Sequence, residues 1–479
     1  MTDAPASSTS TQSPPTAEAI ATARAWADER RGAFESQLCD LLRIPSVSTQ
    51  PDHAHDCKRA AEHIAADMRA IGLEHVAVLD TGGHPVVYGD WLHAADGAPT
   101  ALVYGHYDVQ PPDPLDEWNT PPFEPTMPGD GNVYARGAAD DKGQLFIHLR
   151  SVEACLATAG ALPLNVKFMI EGEEESGSEH LDPFIEGHTE LLAADVCVIS
   201  DSHMLSADQP SIVSSLRGMA YMEIEVRGPA VDLHSGTFGG AVRNPAEALA
   251  NILAQLKDAD GRIQIPGFYD DVVAPTSAER EALAAVPFDD DDFRRDAGVS
   301  EFFGEAGWSV YEQIGARPTL EINGMISGYT GDGAKTVLPA VAKAKVSMRL
   351  VANQSWHTIA EAFTSHVRSL APSGVTVKVS SLHGGEPSLV DTGAPAMKAA
   401  TRALATVFGK TPVFTREGGS IPVVTSFRQL LDMDTVLMGF GLPDDRLHSP
   451  NEKFSLNQLH LGIATSIVFW HELAAVQSV

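Results

Sequence analysis

Apolar residues recur at helical intervals from Ala17 to Ile44, and Arg43-Ile44-Pro45 ends the pattern because proline disfavours helix at the residue before it. A second helix is predicted over roughly Asp56–Ile71, stopping at Gly72. Short apolar runs then alternate with helical stretches. Ala101-Leu102-Val103-Tyr104 leads into Gly105-His106. Leu145, Leu149, Val152 and Leu156 fall at helical spacing, with Gly160 as the stop. Asn165–Ile170 reads as a strand ending at Glu171-Gly172, and Val196–Ile199 as another ending at Ser200-Asp201. Strands alternating with helices predict an α/β fold, a sheet covered by helices on both faces.

The pattern changes near Gly218. Ala220–Val226 alternates with period two, as a half-exposed strand does, and so do Ala344–Leu350 and Val375–Ser380. Asn244-Pro245-Ala246-Glu247 has the composition of a helix start, with Leu249, Ile252, Leu253 and Leu256 as its apolar stripe. The acidic run Asp289–Asp292 is expected on a solvated loop or face. After Gly385 the α/β pattern resumes, with a strand near Thr435–Gly439 and a last helix from about Leu456. The predicted division is a disordered tail (1–16), a catalytic domain in two pieces (17–216 and 385–479) and a smaller α+β insert (217–384).

Composition narrows the function. The net charge of −31 argues against a nucleic-acid partner, which needs a positive face. No stretch approaches the roughly 18 apolar residues of a membrane span. The Ser-, Thr- and Pro-rich first residues lack the basic and apolar regions of a secretory signal. Cys39, Cys57, Cys155 and Cys197 form no CxxC pair, so they are read as buried reduced thiols of a cytoplasmic protein.

Acidic and histidine clusters lie just beyond predicted strands, or at a strand-to-helix turn, where ligands bind in open α/β sheets. They are Gly105-His106-Tyr107-Asp108, Ala139-Asp140-Asp141-Lys142-Gly143, Glu171-Gly172-Glu173-Glu174-Glu175, Ser200-Asp201 and Leu447-His448-Ser449-Pro450. One alone is a turn residue or helix cap; five together point to a metal site. His, Asp and Glu without thiolates suit zinc, manganese or cobalt.

These segments, with His106–Pro111, Arg136-Gly137, Glu171–Ser178 and Arg416-Glu417-Gly418-Gly419-Ser420-Ile421-Pro422, resemble the co-catalytic metallopeptidase family of carboxypeptidase G, aminoacylase and succinyl-diaminopimelate desuccinylase. They are most similar to its cytosolic non-specific and carnosine dipeptidase branch. The resemblance runs from about residue 30 to the C-terminus. It implies a homodimeric hydrolase of small peptides, in which the insert is a lid and dimerisation domain. Water shared by two divalent ions, zinc before manganese or cobalt, would attack the peptide bond. His106 and Asp201 would bind one ion and Glu175 and His448 the other, with Asp140 bridging. The Asp140–Asp141 peptide would be cis. Glu174 would be the general base, and Asp108 would orient His106 from a continuing strand.

The resemblance further implies that the lid histidine His234, in Asp232-Leu233-His234-Ser235-Gly236, serves the partner subunit's active site. Arg349 would clamp the substrate carboxylate, and Thr336, His383 and Ser420 would also contact substrate. Ser388 stands where the eukaryotic dipeptidases carry tryptophan, so the substrate pocket departs from theirs. Two alternatives share most of these features: an amidohydrolase of N-acyl amino acids or a carboxypeptidase of the same fold, and a catalytically silent metal-binding protein.

Overall fold

The computed structural model describes residues 16–418 and 421–476. Residues 1–15 of the expected tail lie outside this range, while Thr16 already opens the first helix. The chain divides into two compact units: residues up to Ile212 with Asp391–Phe414 and everything from Phe427, and Val213–Val390 with Thr415–Ser426. The Arg416-Glu417-Gly418 segment therefore belongs to the second unit.

In the first unit, successive strands of the sheet run in the order Glu74–Leu79, Val86–Trp91, Asn165–Glu171, Thr100–His106, Val196–Ile199 and Asp434–Leu437. The first two pairings are antiparallel and the other three parallel, so the sheet is mixed. The parallel strands are buried along almost their whole length, which is why they read as continuous apolar runs. Lys142–Ala159 packs against the Thr100–His106 strand and the C-terminal helix Leu456–Ala474. Gly160 closes the former in the left-handed region at φ 66°, where glycine carries no Cβ penalty.

Two differences from the sequence reading have local causes. The single helix expected over 17–44 is two, Thr16–Asp28 and Arg31–Leu42. The polar run Asp28-Glu29-Arg30-Arg31-Gly32 between them has no apolar side chain to bury, and the chain turns there. The strands Glu74–Leu79 and Val86–Trp91 were not foreseen, because one is half-exposed without clean alternation and the other is buried throughout.

In the second unit, a four-stranded sheet has the order Thr319–Ser327, Val341–Leu350, Gly218–Arg227, Thr376–Gly385, all antiparallel. Ala220, Met222, Ile224 and Val226 point into a core shared with Leu249, Ile252 and Phe363. Asn244 caps the Pro245–Leu253 helix, its side chain accepting from the Ala246 amide at 2.9 Å. Asp289, first of the acidic run, likewise caps Asp290–Ala297 on the surface. The edge strand Thr319–Ser327 escaped the sequence reading because most of its side chains are exposed.

No helix among the described residues is long and apolar enough to cross a membrane. All four cysteines are free and buried, and burial pushes the Cys57 thiol up to about 12. A thiolate is the reactive form. A thiol-titrating reagent is therefore expected to label none of the four in native protein at pH 8 and all of them in denaturant; rapid native labelling would show that the cores open.

Candidate metal centre

The carboxyl ends of three neighbouring parallel strands converge on one place. His106 is the last residue of Thr100–His106, Asp201 lies two residues beyond Val196–Ile199, and Glu174–Ser176 forms a short 3-10 turn after Asn165–Glu171. Asp140 precedes the Lys142–Ala159 helix, whose positive end favours a carboxylate. His448 comes from the loop before the C-terminal helix and holds φ 59°, a sparsely populated conformation for a non-glycine residue.

These residues form two groups whose donor atoms lie within 4.8 Å of one another: His106, Asp140 and Asp201, and Asp140, Glu175 and His448. Asp140 belongs to both. His106 Nε2 is 3.1 Å from Asp140 Oδ1 and 3.8 Å from Asp201 Oδ2. His448 Nε2 is 2.9 Å from Asp140 Oδ2 and 3.3 Å from Glu175 Oε2. Asp141 is absent from both groups. Its Oδ2 instead accepts from the His106 amide at 3.2 Å, and the Asp140–Asp141 peptide is cis.

The donors fit divalent cations. His106 Nδ1 faces the Asp108 carbonyl at 3.1 Å, an acceptor only, so Nδ1 carries the ring proton. Nε2 then presents a lone pair toward carboxylate oxygens, and it is buried without a hydrogen-bond partner. Lone pairs and carboxylates in contact require positive charge between them. Without it the cluster retains protons. Burial and the Asp140 charge push Asp201 up to about 7, and hydrogen bonds to Asp140 and Glu175 raise His448 to about 10. Burial works against ionised Asp140, but the adjacent His106 and His448 prevail and hold it below the usual carboxylate range.

The three consecutive glutamates have separate surroundings. Glu173 is tied down, accepting from the His84 amide at 3.2 Å and lying 2.9 Å from His180 Nδ1. Glu175 joins the donor cluster. Burial raises the Glu174 carboxyl well above its ordinary range; His106 opposes this, while Asp201, Glu175 and Asp140 add to it. Glu174 thus lies within electrostatic reach of both donor groups.

Asp108 does not sit on a continuing strand, because regular pairing stops at His106. Its Oδ2 accepts from the Glu175 amide at 3.0 Å, and its Oδ1 lies 3.4 Å from His106 Nδ1. One side chain thereby touches a member of each group. The sequence reading missed two other residues. Gln110 Nε2 donates to Glu175 Oε2 at 2.7 Å. Glu452, fully buried, accepts from the Asp140 amide at 3.2 Å. Gln110 stands in the His106–Pro111 segment, and Glu452 follows His448 by four residues, so their positions are their signal.

The remaining predicted residues that are described lie in the second unit. His234 and Thr336 are neighbours: His234 pairs with Val337, and the Ser235 amide donates to the Thr336 carbonyl at 3.1 Å. Arg349 stands opposite Met219, and His383 opposite Tyr221, two residues along the same strand. Directly paired residues share a sheet face, so Arg349 and His383 occupy one face, away from the apolar core. Ser420 lies outside the described residues.

The family model described as peptidase family M20/M25/M40 matches residues 102–471. This chain belongs to that family. It is 32% identical over 464 residues to the Cys-Gly metallodipeptidase dug1 of Schizosaccharomyces pombe, covering 94% of this chain and 97% of that one. It is also 32% identical over 467 residues to the human Beta-Ala-His dipeptidase, covering 94% and 92%. Among solved structures it resembles the M20 family metallo-carboxypeptidase Sso-CP2 of Sulfolobus solfataricus, with TM-score 0.82 and 31% identity over 92% of this chain and 99% of that one.

In this M20 peptidase, Gly143 lets the helix after Asp140 start against its own loop. A Cβ there would overlap the Ala138 carbonyl oxygen and come within 2.8 Å of the Phe454 ring. Gly143→Ala is expected to cost about 1–3 kcal/mol of strain, read as a drop of several degrees in Tm; an unchanged Tm would show that this first turn yields freely.

Proposed function

We propose that the protein is a metal-dependent dipeptidase, carried by the two donor groups that share Asp140 and supported by the metallodipeptidases among its relatives. His106 and Asp201 would hold one divalent ion and Glu175 and His448 the other, with Asp140 common to both donor groups. Zinc is the first candidate, manganese and cobalt the alternatives. Ions in such a pair polarise a carbonyl and lower the pKa of bound water.

The chain's own residues do the rest. Asp108 and Gln110 fix the orientations of His106 and Glu175. Glu174 accepts a proton from the attacking water and delivers it to the leaving nitrogen as the peptide bond breaks. The assigned substrate contacts are Arg349 and His383, with Thr336, Ser420 and the lid histidine His234. Arg349 pairs with the terminal carboxylate through its planar fork.

Residues 217–384 serve as the lid and dimerisation domain of a homodimer. The edge strand Thr319–Ser327 supports this, because Ile322, Met325 and Ile326 are exposed along it and an open edge is a template for a second strand. A cytoplasmic location fits the four unpaired cysteines. The similarity to a metallo-carboxypeptidase supports a second reading, in which the same donors act on longer peptides.

Three experiments test the proposal. Glu174→Gln is expected to lower kcat on dipeptides by about 10²–10⁴-fold while metal content stays at two ions per chain. Undiminished turnover would remove Glu174 from the mechanism. A panel of dipeptides, a tripeptide and N-acetyl amino acids, run on metal-reconstituted protein, separates the readings by which bond is cut. For the dimer, Met325→Lys with Ile326→Lys is expected to shift the light-scattering mass to one chain; a mass of two chains would place the interface elsewhere.

A further inference from the structure

The loop Arg136–Asp140 has no helix or strand to hold it, yet it must present Asp140 to both donor groups. Three of its five backbone amides, and the Arg136 side chain, donate to one buried carboxylate. Glu452 Oε2 accepts from Arg136 Nη1 at 2.8 Å and the Gly137 amide at 2.9 Å. Glu452 Oε1 accepts from the Ala139 amide at 2.9 Å and the Asp140 amide at 3.2 Å. The Glu452 carbonyl accepts from the Ala135 amide at 3.1 Å, where Lys453–Ser455 pairs with Asn132–Tyr134.

We infer that Glu452 is a positioning residue for the metal centre, its carboxylate setting the loop so that Asp140 can serve both ions. The inference rests on the proposed role of Asp140 as the shared ligand. The four donors around this side chain call for a carboxylate. Placing one against the Asp140 amide adds a buried like charge beside Asp140, and the Arg136 guanidinium compensates it. All four partners of the two oxygens are donors, so a neutral amide of the same shape would set its own N–H groups against two of them. The loop is also closed to alternatives. Gly137 lies at φ 81°, and a Cβ there would meet Val109 Cγ1 at 2.5 Å.

The position of Glu452 in the chain gives the arrangement a consequence. It follows His448 by four residues, so one segment supplies both a ligand of the second group and the clamp on the aspartate facing it. A shift of that segment moves both.

Glu452→Gln tests this on full-length protein. Chelator competition on the metal-free enzyme is expected to show affinity for zinc falling about 10–100-fold, as for other groups that orient metal ligands. With metal restored to saturation, kcat should fall while KM for a dipeptide stays within about twofold. Leu459→Ala, in the buried face of the C-terminal helix, is the control for lost stability. It should lower Tm and leave zinc affinity at the wild-type level. Wild-type zinc affinity in Glu452→Gln, or an equal affinity loss in Leu459→Ala, overturns the inference. If Glu452→Gln does not fold, amide hydrogen exchange on the metal-free wild type decides. Gly137, Ala139 and Asp140 are expected to be protected as strongly as the flanking helix, and rapid exchange there overturns the clamp. A wild type that binds no divalent ion removes the metal reading itself, and the exchange result is independent of it.

Discussion

Asp140 has a histidine against each of its carboxylate oxygens, and it is the residue common to both donor groups. Around it stand Asp201, Glu175 and Glu174, and at an effective dielectric of 20 a pair of charges about 4 Å apart repels by roughly 4 kcal/mol. Such a crowd does not assemble unaided. It is imposed by the covalent chain at three parallel strand ends and a helix start, and it is stabilised by cations. The rest of the first unit reads as scaffolding for that imposition. The parallel strands are buried on both sides so that their ends stay fixed, and the loops beyond them are tied by hydrogen bonds rather than left to solvent.

The run Glu173-Glu174-Glu175 shows how finely the chain sorts identical side chains. A 3-10 turn sends successive residues in different directions, about 120° apart for three residues per turn. Glu173 is neutralised locally by a backbone amide and His180. Glu175 is steered into the donor group by Gln110. Glu174 keeps neither kind of partner, and burial then favours its protonated form.

Much of this was legible in the sequence because the relevant signals are local. Parallel strands announce themselves as apolar runs, and Gly160 and Asn244 mark helix ends through their own backbone preferences. The donor residues stand at the ends of those runs. What could not be read has a common physical cause: it depends on contacts far apart in the chain. Glu452 clamps a loop more than three hundred residues earlier, and no periodicity records such a bond. The exposed edge strand Thr319–Ser327 lacks the alternation that burial of one face would impose. The continuing strand expected after His106 failed because Asp108 is used twice, its carbonyl on His106 and its carboxylate on Glu175, and an extended chain cannot do both.

The division of the molecule also explains why a shared donor set does not dictate one substrate. Every member of the two donor groups, with Glu174, Asp108, Gln110 and Glu452, belongs to the first unit. His234, Thr336, Arg349 and His383 all belong to the second, which has its own apolar core, and Arg349 and His383 lie on its four-stranded sheet. Substitutions on the outer face of that sheet leave both its core and the metal donors intact, so recognition can drift while the hydrolytic chemistry is held constant. Ser388 belongs to that same unit. Under the proposed reading, chains with one arrangement of donors can therefore differ in the peptides they take, and the residues that decide it are those of the second unit.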